Sequence, residues 1–319
     1  MLRSFLLYLS KAVWAKKLVT STQLGWRAAS RFIAGESMTE VIPTVNFLND
    51  SGVRVTLDYL GEHTTDRDQA LNATELLIKI IQKIREDRLR SGISIKLTQI
   101  GLDLGESLCL ENLLRVVAEG AAGGIFVRID MEDSSWVEKT LRLYRCARDA
   151  YGSESVGVVI QSYLYRSEAD VRELMAEGSR IRLCKGAYLE SPDVAFPQKK
   201  DVDLNFDRLM KIMVDASREA ARTYGDSEGI IPPLAAFATH DPERIRVARG
   251  YHANSGLPRS AIEFQMLYGI RKDLQQMLVK ENFPVRVYIP FGEQWYPYFM
   301  RRLAERPANV WFFIRQYFQ

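Results

Sequence analysis

The sequence is poor in the residues that build metal centres and disulfide frameworks. Its 319 residues include three cysteines and three histidines, and neither set shows the close spacing of a metal site. An odd number of cysteines argues against a disulfide framework and is typical of a reducing compartment. We therefore expect no metal centre and a chain that is stabilised by its hydrophobic core.

The chain also lacks a long uninterrupted apolar segment. Its most apolar N-terminal stretch, residues 5–19, is broken by Lys11, Lys16 and Lys17, so it is too polar to span a bilayer. No small-residue cleavage site follows a clean apolar stretch, as it would in a signal peptide. These features favour a cytoplasmic location.

Net charge is small, at +3, which argues against a nucleic-acid partner. Residues 1–40 hold six basic and two acidic residues, so the positive charge is concentrated there. Such a segment is either a basic amphipathic helix that contacts anionic lipid on the inner face of the cell membrane or an ordinary helix packed on the domain.

After three helical stretches, at 3–18, 22–34 and 38–50, strand-like and helix-like segments alternate. The helix-like segments lie at 71–90, 113–119, 136–151, 169–177, 204–224, 242–252 and 271–282. The eight β-rich segments lie at 54–59, 94–99, 124–131, 156–163, 180–187, 234–240, 262–268 and 285–289. This repeat predicts a (β/α)8 TIM-type barrel over residues 51–319, preceded by a helical arm over residues 1–50. A doubly wound open sheet is the alternative, but no Gly-x-Gly-x-x-Gly follows a strand.

Barrel enzymes place their chemistry at the carboxyl ends of the strands. The ends of predicted strands 2 to 8 carry a polar, net-positive set of residues that suits an anionic ligand. The set comprises Lys96, Asp130, Gln161, Tyr163, Arg182, Lys185, Gly186, Ala187, Tyr188, Thr239, His240, Asp241, Glu263, Gln265 and Tyr288.

Three of these residues are open to more than one interpretation, and the first, Asp130, is either a catalytic base or a carboxylate that orients an arginine or lysine. Lys96 faces away from its apolar neighbours, so it either forms a structural ion pair with Asp130 or acts as a Schiff-base lysine, as in barrel aldolases. His240 is either a ligand or proton relay or a hydrogen-bonded polar group. Gly186 allows the backbone to approach an anion closely.

Adjacent arginines stand near the start of a short predicted helix at 298–306. Neighbouring helical positions are about 100° apart, so the guanidinium groups of Arg301 and Arg302 can reach one carboxylate or phosphate. Glu305, four residues after Arg301, is placed to hold its side chain. A solvated helix face is the alternative.

Four motifs in this order resemble the proline dehydrogenase family, in its short monofunctional bacterial form. They are Arg182-Leu-Cys-Lys185-Gly-Ala-Tyr188, Ala236-Phe-Ala-Thr-His-Asp241, Glu263-Phe-Gln-Met-Leu267-Tyr-Gly269, and Val287-Tyr-Ile-Pro-Phe-Gly292 followed by Tyr298-Phe-Met-Arg-Arg-Leu-Ala-Glu305. The resemblance covers about residues 45–319 and implies a distorted barrel whose last helix lies over the mouth.

The resemblance also implies a reaction. It is the oxidation of L-proline to Δ1-pyrroline-5-carboxylate by hydride transfer to FAD, the first step of proline degradation to glutamate. Electrons then pass to a membrane quinone. There are two competing hypotheses. One is a lyase or aldolase barrel that uses Lys96 or Lys185 as a Schiff base, with the arginines on a phosphate. The other is a catalytically silent barrel that binds a partner through its basic arm.

By the same resemblance, Lys96, Arg301 and Arg302 grip the substrate carboxylate. Tyr288, Tyr298 and Leu267 line the proline ring, Asp130 holds the cationic cluster, and Arg182 lies near the reactive flavin nitrogen. The expected flavin contacts are Met131, Gln161, Arg182, Lys185, Gly186, Ala187, Tyr188, Thr239 and His240. One departure is that Tyr288 lies closer in sequence to the arginines than in the longer bifunctional relatives, which affects the lid over the site.

Overall fold

Eight parallel strands form a closed barrel in the computed structural model of the chain. The structure describes residues 29–220, 225–226 and 228–305, the side chain of Glu305 excepted, and positions 9, 12, 14, 15 and 19. The strands are β1 Arg54–Tyr59, β2 Ser91–Ile95, β3 Val127–Ile129, β4 Val156–Gln161, β5 Ile181–Cys184, β6 Ala235–Ala238, β7 Ile262–Leu267 and β8 Val285–Phe291. Each pairs with its neighbour in sequence, and β1 pairs with β8 from Arg54 opposite Arg286 to Tyr59 opposite Phe291.

Nine α-helices lie within the described ranges, and most of them follow a strand. They are α1 Met38–Asp50, α2 Arg67–Glu86, α3 Glu106–Gly123, α4 Val137–Tyr151, α5 Ser167–Ala176, α6 Lys199–Glu219, α7 Pro242–Ala253, α8 Lys272–Lys280 and α9 Trp295–Glu305. The predicted (β/α)8 barrel is therefore confirmed. None of these helices is long and apolar enough to cross a membrane.

Several predicted strand limits are wrong. The second strand was expected at 94–99, but it runs over Ser91–Ile95 and a 3-10 turn follows at Thr98–Ile100. Strand β3 has three residues, where eight were expected at 124–131. Both errors have one cause: residues 96–99 after β2 and residues 125–126 before β3 are as buried as the strands themselves, so burial does not mark where pairing starts or stops.

The last helix, α9, lies over the carboxyl ends of the strands, as predicted. Its apolar side chains form a second cluster with Phe32, Ile33 and Leu60, separate from the main barrel core. The rings of Phe32 and Phe299 are 6.3 Å apart, and Leu60 follows β1 at the barrel mouth. The predicted start of this helix, residue 298, was three residues late, because the helix begins at Trp295.

Helix α1 runs along the barrel from its mouth, where the Gly292 N–H donates to the Gly35 carbonyl, to the amino ends of the strands. Val41 and Val45 belong to the main core, and the Asn49 amide donates to the carbonyls of Val53 and Arg90, which precede β1 and β2. The predicted helix at 38–50 is thus confirmed. The predicted helix at 3–18 lies mostly outside the described residues. The helix predicted at 22–34 is described only from residue 29, and its predicted end at residue 34 is wrong, because a turn follows Ala29. The division between an arm and a barrel at residue 50 stays a prediction.

Candidate active site

The centre of the mouth is a buried cluster of two cations, a carboxylate and a phenol. Asp130 follows β3 and accepts from the Arg182 guanidinium, from Ser94 Oγ at 2.9 Å and from the Tyr288 hydroxyl at 2.7 Å. Lys96 Nζ lies 3.7 Å from Asp130 Oδ2. Four residues that the sequence predicted for the site therefore meet: Lys96 and Asp130 directly follow β2 and β3, while Arg182 lies within β5 and Tyr288 within β8.

Asp58, at the end of β1, is a member of this cluster that the sequence reading missed. Its two oxygens lie 3.2 and 3.4 Å from Lys96 Nζ, closer than Asp130. The expected Lys96–Asp130 pair is therefore present, but it is the longer of two. Asp58 and Lys96 are 1% and 8% exposed, so the ion pair is shielded from water.

Charge in the cluster sets the protonation of each group. Burial opposes ionisation of Asp130, but Arg182 and Lys96 outweigh it and hold the pKa of this carboxyl below its usual value. Burial, with the charges of Asp130 and Asp58, raises the pKa of Tyr288 well above that of a free phenol, so Tyr288 stays a neutral donor.

Lys96 is held in its charged form. Burial alone would favour the neutral amine, but Asp58 and Asp130 raise the pKa of Lys96 above its ordinary value. A Schiff-base lysine needs a neutral amine to attack a carbonyl. The electrostatics thus disfavour the aldolase hypothesis for Lys96.

Below the cluster, a chain of hydrogen bonds runs down the inside of the barrel. Arg182 donates to Gln265 at 3.5 Å, and Gln265 donates to Glu263 at 2.7 Å. Glu263 then accepts from Arg286 Nε at 2.8 Å. The placement of Glu263 at the mouth was wrong: it is the second residue of β7, so it faces the interior near the amino ends of the strands.

Helix α9 carries the two adjacent arginines over the mouth. Arg301 makes a two-pronged ion pair with Glu62, which follows β1, at 2.9 and 3.2 Å. The Arg302 guanidinium lies 5.2 Å from the centre of the Tyr298 ring. Both arginines are half-buried, so a helix face turned wholly to solvent is excluded. The expected Glu305–Arg301 contact falls on a side chain that the structure does not describe.

A second polar group lies at the ends of β5 and β6. Lys185 Nζ contacts Asp203 Oδ1 at 2.5 Å and Asp241 Oδ2 at 2.8 Å. Thr239 Oγ accepts from the Asp241 backbone N–H at 3.1 Å, and Asp241 caps α7. Lys185 is thus paired with two carboxylates.

His240 is oriented by the main chain of the next strand. Its Nε2 accepts from the Leu267 backbone N–H at 2.9 Å, so Nε2 carries no proton and the neutral ring is protonated at Nδ1. This contact favours the hydrogen-bonded alternative for His240 and fixes the backbone of Leu267.

Gln161 presents an unsatisfied oxygen in the same region. Its Nε2 donates to the Met131 carbonyl at 3.3 Å. Its Oε1 is buried and has no hydrogen-bond partner among the described residues. A buried acceptor without a partner is costly, so this oxygen marks a place where an external N–H or O–H donor fits.

Gly186 is needed for a close approach after β5. Its φ of +105° lies in the region that favours glycine, and a Cβ there would lie 2.4 Å from the Tyr163 ring. Ala187 beyond it is exposed, and Tyr188 is half-buried. Burial and the charges of Glu62 and Glu132 raise the pKa of Tyr188, while Lys96 and Arg301 lower it, so Tyr188 lies within electrostatic reach of both cations.

The residues that the sequence reading missed carried a local signal. Asp58 and Glu62 stand in the stretch Asp58-Tyr-Leu-Gly-Glu62, at the end of the first strand. A carboxylate in an otherwise apolar strand is costly unless it is paired, which is the signal that could have found Asp58. Within the described ranges, no three His, Cys, Asp or Glu side chains are grouped as a metal site requires.

Comparison with known proteins identifies the family of this chain. A sequence model described as proline dehydrogenase matches residues 41–315. The chain belongs to the proline dehydrogenase family. It is 41% identical to proline dehydrogenase 1 of Bacillus subtilis over 317 residues, which cover 99% of this chain and 98% of the relative. It is 39% identical to proline dehydrogenase of Deinococcus radiodurans over 293 residues, which cover 91% and 90% of the two chains. The predicted family, in its short form, is confirmed.

Solved structures support the barrel. Proline utilization A of Bdellovibrio bacteriovorus, inactivated by N-propargylglycine, superposes with a TM-score of 0.78 at 25% identity. The match covers 88% of this chain and 33% of the other. This chain therefore shares its fold with one third of a longer protein.

Proposed function

We propose that this protein oxidises L-proline to Δ1-pyrroline-5-carboxylate, with FAD as hydride acceptor and a membrane quinone as the final acceptor, as the first step of proline degradation to glutamate. The proposal rests on the three cations around the mouth: Lys96 lies on its floor, and Arg301 and Arg302 lie on the helix above it. Relatives that align along nearly the whole chain are named for proline dehydrogenation.

Three cations suit the carboxylate of a small amino acid. Lys96 is a point charge that Asp58 and Asp130 keep protonated, whereas Arg301 and Arg302 offer planar forks. Each charge-assisted hydrogen bond contributes roughly 1.5–3 kcal/mol. Together they orient the ring, which we place against Leu267, Tyr288 and Tyr298. Tyr288 is held for this by its bond to Asp130.

The residues at the ends of β3 to β6 fit a flavin dinucleotide. An isoalloxazine ring carries an N–H donor, which matches the unpartnered Gln161 Oε1. Lys185 supplies a cation for a pyrophosphate, and Gly186, which has no side chain, lets the backbone of the loop approach that anion closely. We assign flavin contacts to Met131, Gln161, Arg182, Lys185, Gly186, Ala187, Tyr188, Thr239 and His240. FAD, when bound, supplies the hydride acceptor.

The chain itself contributes orientation and charge. Arg182, fixed by Asp130 and Ser94, places a positive charge at the centre of the mouth, where it stabilises negative charge that develops during the transfer. The lowered pKa of Asp130 suits a carboxylate that holds cations in place and makes it a poor proton acceptor. We therefore assign Asp130 a positioning role and route the proton of the substrate amine to solvent.

A visible spectrum tests the proposed reaction. The purified protein should be yellow, and its flavin band should bleach on anaerobic addition of L-proline, with the imine product trapped by 2-aminobenzaldehyde. A colourless protein that forms a borohydride-stable adduct with a carbonyl substrate on Lys96 or Lys185 would instead establish the aldolase hypothesis.

The quinone acceptor and a peripheral membrane contact rest on the N-terminal segment. Trp14 is 61% exposed, and in the sequence it stands among Lys11, Lys16 and Lys17. Aromatic and basic residues together favour a lipid interface. Removal of residues 1–20 should lower turnover with quinone-containing vesicles more than turnover with a soluble dye. An equal loss with both acceptors would mean that the segment only stabilises the fold.

A further inference from the structure

Asp58 differs from every other carboxylate at the mouth in having one cationic partner and almost no exposure. It is the penultimate residue of β1, where it pairs with Ser94 of β2 and Pro290 of β8. Both of its oxygens face Lys96 Nζ, at 3.2 and 3.4 Å, and its exposed fraction is 1%.

Asp130 cannot replace Asp58 as the main partner of Lys96. It lies 3.7 Å from Nζ, and its oxygens already accept from Arg182, Ser94 and Tyr288. Without Asp58, the carboxylates that act on the buried ammonium would be Asp130, which is shared among four donors, and the more distant Glu62. Burial of an ammonium that is not fully paired is costly.

We propose that Asp58 is a positioning residue of the reaction: it fixes the direction of Lys96 and keeps Lys96 charged, so that one ammonium proton points at the substrate carboxylate. An ammonium has three donors. Asp58 and Asp130 lie 3.2 and 3.7 Å from Nζ, and we assign the remaining donor to the substrate. The inference rests on the proposed function, because that function supplies the carboxylate as ligand.

Two properties of Asp58 are separable by substitution. Its charge raises the pKa of Lys96 against the effect of burial, and its length sets where Nζ lies. Asp58→Asn removes the charge and keeps the shape. Asp58→Glu keeps the charge and moves the carboxylate outward by one methylene group.

The experiment measures binding in place of turnover. The probe is tetrahydrofuran-2-carboxylate, in which an ether oxygen replaces the ring nitrogen, so that the ring has no amine to oxidise. Its Kd is measured on the flavin-loaded full chain from pH 7 to 10 by calorimetry and by perturbation of the flavin spectrum.

In wild type, Lys96 should stay charged over this range, so its ionisation should not appear in the Kd profile. In Asp58→Asn, the Kd should rise about tenfold at pH 7.5. It should rise further at alkaline pH, because Lys96 then loses its proton within the measured range. The double variant Asp58→Asn with Lys96→Arg should lose that ionisation, because an arginine stays charged. Asp58→Glu should raise the Kd without a new ionisation.

A matched control separates positioning from general damage. Asp170 on α5 is a buried carboxylate that accepts from Arg166 at 2.8 and 2.9 Å, so Asp170→Asn makes the same chemical change outside the cluster and should leave the Kd unchanged. If both Asp58 variants kept the Kd of the wild type and its dependence on pH, the inference would be overturned. If Asp58→Asn does not fold, an unchanged Kd in Asp58→Glu overturns it alone. Failure of the wild-type protein to bind the probe would instead overturn the proposed function.

Discussion

Replacement of Arg301 by methionine should weaken proline binding through two separate effects. The first is loss of a charge-assisted hydrogen bond to the substrate carboxylate, roughly 1.5–3 kcal/mol. The second comes from Glu62, which Arg301 neutralises at 2.9 and 3.2 Å. Once unpaired, this carboxylate repels the substrate carboxylate.

The repulsion is moderate, because the Arg301 and Glu62 side chains are 32% and 22% exposed. Two unit charges about 4 Å apart near a surface interact by roughly 4 kcal/mol before solvent screening, and we reduce this to about 1 kcal/mol for an exposed pair. Together the two effects amount to about 3 kcal/mol, or a rise of about 150-fold in the proline KM. Adding Glu62→Gln to Arg301→Met should recover about fivefold.

Steady-state reduction of a soluble dye measures the KM, and absorbance of the purified protein measures bound flavin. Arg172→Met is the matched control, because Arg172 makes a similar two-atom contact with Glu168 on the outer face of α5. It should leave the KM unchanged. Loss of flavin in Arg301→Met, or a double variant no better than the single one, would refute the reasoning.

Two further predictions concern the loops of the mouth. Gly186→Ala should lower both the melting temperature and the flavin content more than Gly178→Ala, since both glycines have positive φ but only Gly186 would place a Cβ 2.4 Å from Tyr163; equal effects in thermal melts would show that the close approach is unimportant. His63 contacts Asp103 at 2.7 Å, and although burial opposes it, this hydrogen bond and charge raise the pKa of His63. The contribution of the His63–Asp103 pair to folding stability should therefore be complete below the unfolded pKa of His63, about 6.5, and should be lost as pH rises through the raised folded pKa. In denaturant titrations, His63→Asn should remove this pH dependence.

The order of elements could be predicted from the sequence because each strand is a β-rich apolar segment followed by a helical pattern. Strand limits could not, and β2 shows why. Gly92 is a poor strand former by propensity, yet it sits in β2 because a Cβ there would lie 2.6 Å from the Phe126 carbonyl oxygen. Only the packed neighbour makes a glycine necessary at that position.

The site was predictable where a strand end carries an unusual residue, as with Lys96, Asp130 and Arg182. The partners of these residues were harder to find. Lys96 and Asp58 are 38 positions apart, and Arg301 and Glu62 are 239 apart, so no local pattern connects them. The level of Glu263 could have been predicted: it is the second residue of the strand expected at 262–268, as it is of β7, and so lies below Gln265.

The central claim is that Lys96 and the two arginines of α9 grip one carboxylate beside a flavin. A crystal structure of the flavin-loaded protein with tetrahydrofuran-2-carboxylate tests it most directly. We predict carboxylate oxygens within about 3 Å of Lys96 Nζ and of the Arg301 and Arg302 guanidinium groups. A ligand bound elsewhere, or both arginines turned into bulk water while the ligand occupies the mouth, would contradict the account.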